Sequence, residues 1–169
     1  MSSMYMKVHR ARGEGEVVAV CDVNRASHGY KNDKQFLGRV PVRDSVQKAY
    51  AGRAASGAFK GCAIYTDFRE LLAAEKDLDA VVVSTPDHMH AAAAIAAMKQ
   101  GCHVYVEKPL VRTVWEARRF AKVAQACGVM TQMGNNGNGS DHQRRNIEIV
   151  QSGVLGDIRE IHVSTDRPI

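Results

Sequence analysis

Four short groups of polar residues interrupt otherwise apolar stretches, and each has a chemistry it could perform. Asp22 ends the run Val17-Val18-Ala19-Val20-Cys21. A carboxylate there can accept hydrogen bonds from both hydroxyls of an adenosine ribose and would repel a 2′-phosphate, favouring NAD over NADP. The same residue heads Asp22-Val23-Asn24, which is also good turn chemistry. Ser84, Thr85 and Pro86 follow a second apolar run and lead into Asp87-His88-Met89-His90. Backbone N–H groups at a helix start can hold an anion or a carboxamide, while Asp87 could equally be a simple N-cap. A zinc site on Asp87, His88 and His90 is disfavoured. Ligands so spaced diverge at a helix start, and no further Cys or His cluster completes the shell.

Glu107-Lys108-Pro109 ends a third apolar run, Val104-Tyr105-Val106. A charged pair directly after such a run is costly unless it meets a polar cleft or a partner. A lysine there can hydrogen-bond a substrate hydroxyl together with a nicotinamide ribose, and burial would lower its pKa toward a useful range. Pro109 holds Lys108 extended and permits a cis bond. The fourth group, Gly134-Asn135-Asn136-Gly137-Asn138-Gly139, follows Val129–Met133. Its glycines and asparagines suit a loop pressed against a ligand, or a flexible connection.

These groups need a scaffold that brings them together. Continuous β-branched runs are what strands buried on both faces look like. Between them lies helix punctuation: Asp67 with Glu70, Asp87 ahead of Ala91–Gln100 and Gly101, Thr113 with Glu116 ahead of Gly128, and Ser140 with Gln143 ahead of Gly153. Strand–helix–strand repetition of these lengths predicts β-α-β units, an α/β class, and a Rossmann-type, doubly wound, mainly parallel sheet. Ligands bind such a sheet at the carboxyl ends of its strands, where all four groups fall. Residues 25–60 break the rhythm, with one helix expected from Asp44 to Ser56. Ile158–Thr165 alternates with period two and predicts a half-exposed, antiparallel strand opening a second sheet.

Bulk properties bound the rest. At 169 residues, 45% hydrophobic and 24% charged, the chain has the length and composition of one globular domain. The longest apolar run, Ala91–Met98, is far short of the ~20 residues of a membrane span. Met1–Arg12 offers no apolar stretch of the kind a secretory signal needs. Cys21, Cys62, Cys102 and Cys127 are widely spaced, which fits reduced thiols in a reducing, cytoplasmic compartment. The net charge of +5 is concentrated in residues 1–60, with 11 Lys and Arg against 5 Asp and Glu. No aromatic residues interleave with those charges as a single-strand nucleic-acid surface requires. Neither nucleic acid nor membrane is expected as a partner.

The string STPDHMHAAAAIAAMKQGCHVYVEKPL, with DAVVVSTPDHMH before it and GVLGDIREIHVSTDRP after it, resembles the Gfo/Idh/MocA family. (The name joins glucose–fructose oxidoreductase, inositol dehydrogenase and rhizopine catabolism.) The resemblance runs from about Glu16 onward. It implies an NAD(P)-dependent oxidoreductase with an N-terminal Rossmann domain and a C-terminal α+β domain, acting on a small-molecule sugar, polyol or related carbinol. By that resemblance Asp22 is the ribose acid, Thr85-Pro86 the nicotinamide-side loop, and Lys108 the catalytic lysine that positions substrate. The implied cofactor-contacting set is Asp22, Ser84, Thr85, Pro86, His88, His90, Glu107, Lys108 and Asn136, with no metal.

Two departures shape the expectations. Family members open with a strand and a G-x-G-x-x-G turn, whereas Gly13-Glu14-Gly15 comes too late and precedes no helix. The chain is therefore expected to start inside the first helix, near Met4–Arg10, and to stop as the substrate domain begins. That puts the truncated Rossmann domain at residues 1–153 and the start of the substrate domain at 154–169, with the general acid/base histidine beyond the end. An empty central slot in the sheet would expose two strand edges, so a homo-oligomer is expected. The alternatives are a non-catalytic remnant and a methyltransferase-like nucleotide-binding domain. Glu107-Lys108-Pro109 followed by a capped helix counts against the latter.

Overall fold

A computed structural model describes residues 5–12, 14–28, 34–57 and 59–164. The strands are β1 (Tyr5–Arg12), β2 (Glu14–Cys21), β3 (Ser27–His28), β4 (Phe36–Leu37), β5 (Ala63–Tyr65), β6 (Ala80–Ser84), β7 (His103–Glu107) and β8 (Thr131–Gly134). The helices are α1 (Arg39–Ala49), α2 (Ala51–Ala55), α3 (Phe68–Ala74), α4 (Asp87–Met98), α5 (Val114–Cys127) and α6 (Asp141–Gln151). Two compact units divide the chain, one ending at Gly134 and one beginning at Asn135.

The first unit is a Rossmann-type α/β sheet with strand order β5-β2-β1-β6-β7-β8. β5 is parallel to β2, and β6, β7 and β8 are parallel to one another. β1 is antiparallel to both β2 and β6, so β2 and β6 run the same way. The five parallel strands therefore end at one edge. β3 and β4 form a separate two-residue ribbon.

This arrangement corrects two expectations at the amino end. Residues 5–12 are a strand rather than the helix expected over Met4–Arg10. The central slot, expected to be empty, is filled by that strand, with Met6 opposite Cys21 on one side and Val83 on the other. The physical reason is backbone pairing. Buried N–H and C=O groups on facing edges of β2 and β6 must find partners, and an adjacent hairpin arm supplies both ladders. The exposed-edge argument for self-association therefore loses its premise. Val18 and Ala19 lie together opposite Val8, a bulge in β2. Its effect is visible in packing: Val17 and Val20 share one face of the sheet, Ala19 and Cys21 the other.

One face is packed from β2 to β7, and the opposite face is packed at β2. Ala19, Cys21, Val81, Val83, Val104 and Val106 pack against Leu71 and Leu72 of α3, Ala93, Ala94, Ala97 and Met98 of α4, and Phe120 of α5. The run of alanines lets α4 lie close to the strands. Burying Leu71 completely contributes roughly 1.5–3 kcal/mol. On the other face Val17 and Val20 meet Val46, Phe59 and Cys62, with Val42 and Tyr50 beside them.

Helix termini follow the sequence in part. Asp67 caps α3 by accepting from the Arg69 amide, Thr113 and Glu116 form a full capping box on α5, and Gly128 ends α5 in the left-handed region. Asp87 is not a cap: Pro86 holds that position and Asp87 is the first helical residue. The helix expected over Asp44–Ser56 is instead α1 and α2, and α1 starts at Arg39 despite Pro41. A proline in the first turn removes an N–H that has no helical partner anyway. β5 was not anticipated; three residues are too few to leave a pattern.

In the second unit, Ser140 caps α6 by accepting from the Gln143 amide. Gly153 follows the helix at φ 72°. The strand expected over Ile158–Thr165 does not form through Ser164, and Thr165 lies outside the described residues. A strand exists only as part of a ladder, and no described strand runs alongside Ile161 and Val163, both of which are exposed.

Cys21, Cys62 and Cys102 are buried and Cys127 is exposed. Burial pushes the Cys21 thiol up to about 12 and the Cys62 thiol up to about 11, so both stay protonated and unreactive near neutrality. A disulfide-exchange reagent at pH 8 should titrate one thiol rapidly and three only on unfolding. Cys127→Ser should abolish the fast phase, and survival of that phase in the variant would contradict this packing.

Candidate functional site

The parallel strands deliver their last residues to one edge of the sheet, and the turns after β2, β6 and β7 carry the sequence candidates. Asp22 sits one residue past β2, where its amide extends the ladder by donating to the Tyr65 carbonyl at 3.1 Å. It is 1% exposed. Its Oδ1 accepts from the Asn24 amide at 2.8 Å, so the turn role is present in the structure. The next loop is built against α1: the Arg39 and Val40 amides donate to the carbonyls of Asn24 and Arg25. The Arg39 guanidinium donates to the carbonyls of Asp22 and Val23, at 3.0 Å each. Gly38 permits this docking. It has φ 128°, and a Cβ there would lie 2.7 Å from the Arg25 carbonyl oxygen.

Ser84 is half-buried at the end of β6 and Thr85 is buried beyond it. Pro86 opens α4, where the Met89 amide donates to its carbonyl at 2.8 Å. His88 is exposed on the first turn. His90 is 1% exposed, and its two ring nitrogens face two carbonyls, Nε2 that of Thr85 at 2.7 Å and Nδ1 that of Pro109 at 2.6 Å. One imidazole thus joins the turn after β6 to the turn after β7. No group of three or more His, Cys, Asp or Glu among the described residues could hold a metal ion.

Glu107 is half-buried at the end of β7, directly opposite Gly134 of β8. A Cβ on Gly134 would fall 2.7 Å from the Glu107 Oε2 and 2.8 Å from the Tyr105 hydroxyl, so the glycine makes room for that carboxylate. Lys108 is exposed, and its bond to Pro109 is cis. This lysine stands at the rim of the edge rather than in a dry pocket. Asn136 belongs to the second unit, in a single 3-10 turn over Asn136–Gly139. The structure thus brings together Thr85, Pro86, His90, Lys108 and Pro109, places Glu107 beside them in the sheet, and sets Asp22 two strands away.

Arg39, Tyr105 and Gly134 contribute contacts that sequence reading did not single out. Arg39 reaches carbonyls 16 and 17 residues away, a separation with no local signature. Gly134 lay in a glycine-rich stretch whose length hid its one steric duty.

An open α/β sheet with its polar residues gathered at the carboxyl edge is the architecture of a dinucleotide-binding domain. Within that class, the family described as an oxidoreductase family with an NAD-binding Rossmann fold, Gfo/Idh/MocA, matches residues 40–135, and this chain belongs to it. An uncharacterized oxidoreductase of Schizosaccharomyces pombe is 29% identical over 138 residues, which cover 78% of this chain and 37% of the relative. The 1-carboxy-3-chloro-3,4-dihydroxycyclohexa-1,5-diene dehydrogenase of Comamonas testosteroni is 33% identical over 104 residues, 62% of this chain and 26% of that protein. Among solved structures, the myo-inositol 2-dehydrogenase of Lactobacillus plantarum superposes with a TM-score of 0.56 at 24% identity, over 85% of this chain and 35% of that one. The WlbA dehydrogenase of Bordetella pertussis, in complex with NADH and UDP-GlcNAcA, gives 0.55 at 23%, over 83% and 33%. At such identities the two structures share the fold. The chain spans well under half the length of these proteins.

The described residues fit the two ends of a dinucleotide and not its middle. An acid stands at the end of β2, and the turns after β6 and β7 meet through His90. The pyrophosphate of a Rossmann domain sits on a glycine turn between the central strand and a helix. Here β1 runs the other way, so its first residues, Tyr5 and Met6, stand at that edge, and β2 follows it directly. No strand–glycine turn–helix occupies that place among the described residues.

Gly134→Ala should displace the Glu107 carboxylate and cost about 1–3 kcal/mol in denaturant unfolding, the usual scale of overpacking. In a Glu107→Ala background the same change should cost clearly less. Equal costs in the two backgrounds would show that Glu107 does not occupy that space.

Proposed function

We propose that this chain is the nucleotide-binding portion of an NAD-dependent dehydrogenase acting on a carbinol carbon of a sugar, polyol or related small molecule. The observation that carries the reading is the joined pair of turns at the carboxyl edge: Thr85-Pro86 after β6 and Lys108-Pro109 after β7 share one buried imidazole. The relatives named as dehydrogenases support it. Bound NAD would supply hydride chemistry at its nicotinamide ring. The chain's own part is to bind and orient. Lys108, exposed at the rim, donates a hydrogen bond to the substrate hydroxyl. The helix start presents the backbone N–H groups of Asp87 and His88 to a carboxamide, and Ser84 and Glu107 complete the set of contacts. Asp22 receives the adenosine ribose, its carboxylate disfavouring a 2′-phosphate.

The same reading assigns the proton-transfer histidine, and the substrate domain that begins near residue 154, to the remainder of the enzyme's fold. The buried thiols suit a reducing cytoplasm.

Two measurements test it. In ligand-observed NMR titrations NAD should bind this chain more tightly than NADP, and Asp22→Ala should narrow the difference. NADP binding tighter by about tenfold, or about 1.4 kcal/mol, would overturn the assignment of Asp22. With polyols and NAD, the 169-residue chain alone should form NADH far below ~1 s⁻¹, a typical enzyme rate. Turnover at that rate would mean that the proton-transfer group lies within this chain.

A further inference from the structure

We propose that His90 is a positioning residue: by holding the Thr85 and Pro109 carbonyls at once, it sets the distance between the two turns and thereby where Lys108 stands. The proposal rests on the dehydrogenase reading for its ligand, and on geometry alone for the coupling of the turns. His90 lies in the first turn of α4, only five residues from Thr85, whereas Pro109 is 19 residues on and across a strand. The ring is buried, so water does not compete for either nitrogen. Both partners are carbonyls, which only accept. Each ring nitrogen lies within hydrogen-bond distance of one of them, and a ring N–H donates to the carbonyl it faces. No other side-chain type presents two nitrogens on opposite edges of so small a ring.

The consequence for Lys108 follows from connectivity. Pro109 is bonded directly to Lys108, so fixing the Pro109 carbonyl fixes the backbone from which the exposed lysine side chain departs. Thr85 is likewise adjacent to Pro86, which opens α4. A side chain that merely filled the space would leave the two turns side by side but independent.

Three variants of the full chain separate these roles. His90→Asn places an amide near the Nδ1 position and can keep the Pro109 bond. His90→Gln places one near the Nε2 position and can keep the Thr85 bond. His90→Phe keeps a ring and neither bond. Affinities for NADH and for ADP-ribose, which lacks only the nicotinamide, are measured by ligand-observed NMR. Amide hydrogen exchange is measured at Lys108 and Leu110 and, as a control, in β6 and β7. His90→Phe should weaken NADH about tenfold, the scale of one or two lost hydrogen bonds, and ADP-ribose less than about twofold. His90→Asn should recover much of the NADH loss, because it retains the bond beside Lys108.

Parallel losses for both ligands in all three variants would mark His90 as structural only and overturn the proposal, as would unchanged NADH binding in His90→Phe. If the unsubstituted chain binds NADH no better than ADP-ribose, the dehydrogenase reading fails and exchange alone decides the coupling. Faster exchange at Lys108 and Leu110 in His90→Phe but not in His90→Asn, with β6 and β7 unaffected, then upholds it. Unchanged exchange there overturns it.

Discussion

Every backbone N–H and C=O in the centre of a buried sheet needs a partner, and in this protein the demand falls hardest between β2 and β6. Both strands are apolar, and Val81, Val83 and Cys21 are fully buried. Neither could leave its inner edge unpaired at a cost the domain would survive, since each orphaned group costs about 1–3 kcal/mol and whole-domain stability is only ~5–15 kcal/mol. β1 meets the demand on both sides. Its direction is secondary to that requirement, because antiparallel ladders satisfy the same groups as parallel ones. The remaining order, from β5 at one end to β8 at the other, follows from the pairing of β2 and β6 with this shared neighbour.

Once the strands are ordered, the carboxyl edge is determined and chemistry collects there. The turn after β2 is docked on α1 through Arg39, and the turns after β6 and β7 are joined through His90. Glu107 is given its place by a residue with no side chain, Gly134. These are contacts between loops rather than within them. The apolar core supplies stability and the polar edge supplies geometry. The two meet at Thr85 and His90, which are polar, buried and hydrogen-bonded, as buried polar groups must be.

Much of this was legible in the residues. Four apolar runs marked β2, β6, β7 and β8, although only one face of β6 and of β7 is fully buried and most of β8 is exposed. Thr113 with Glu116 and Gly128 bounded α5 because those caps act locally. The family was legible in the TPDH and EKP strings. What was not legible depended on distant partners. β1 reads as a charged segment, with Lys7, His9, Arg10 and Arg12, and nothing local says that two apolar strands will recruit it. The strand expected over Ile158–Thr165 had the right period and no described ladder. Lys108 follows an apolar strand, where a charge needs a polar cleft or a partner, and the turn carries it to the surface. Within the site, residue types were legible while the contacts of His90 with Pro109 and of Gly134 with Glu107 were not, since they join residues 19 and 27 positions apart.

The hairpin between β1 and β2 also bears on how the sheet assembles. Arg12 pairs with Glu14, so this central ladder closes almost without loop entropy, whereas β1 and β6 meet through Tyr5 and Ser84, far apart along the chain. A parallel central pair needs a whole crossover helix before its first hydrogen bond forms. Replacing that crossover by a hairpin lowers the mean sequence separation of contacts at the middle of the sheet, the quantity with which folding rates of small domains fall. Hairpins close within microseconds. The centre of this sheet is thus a place where order can begin early, with β6, α4 and β7 adding to a template already formed.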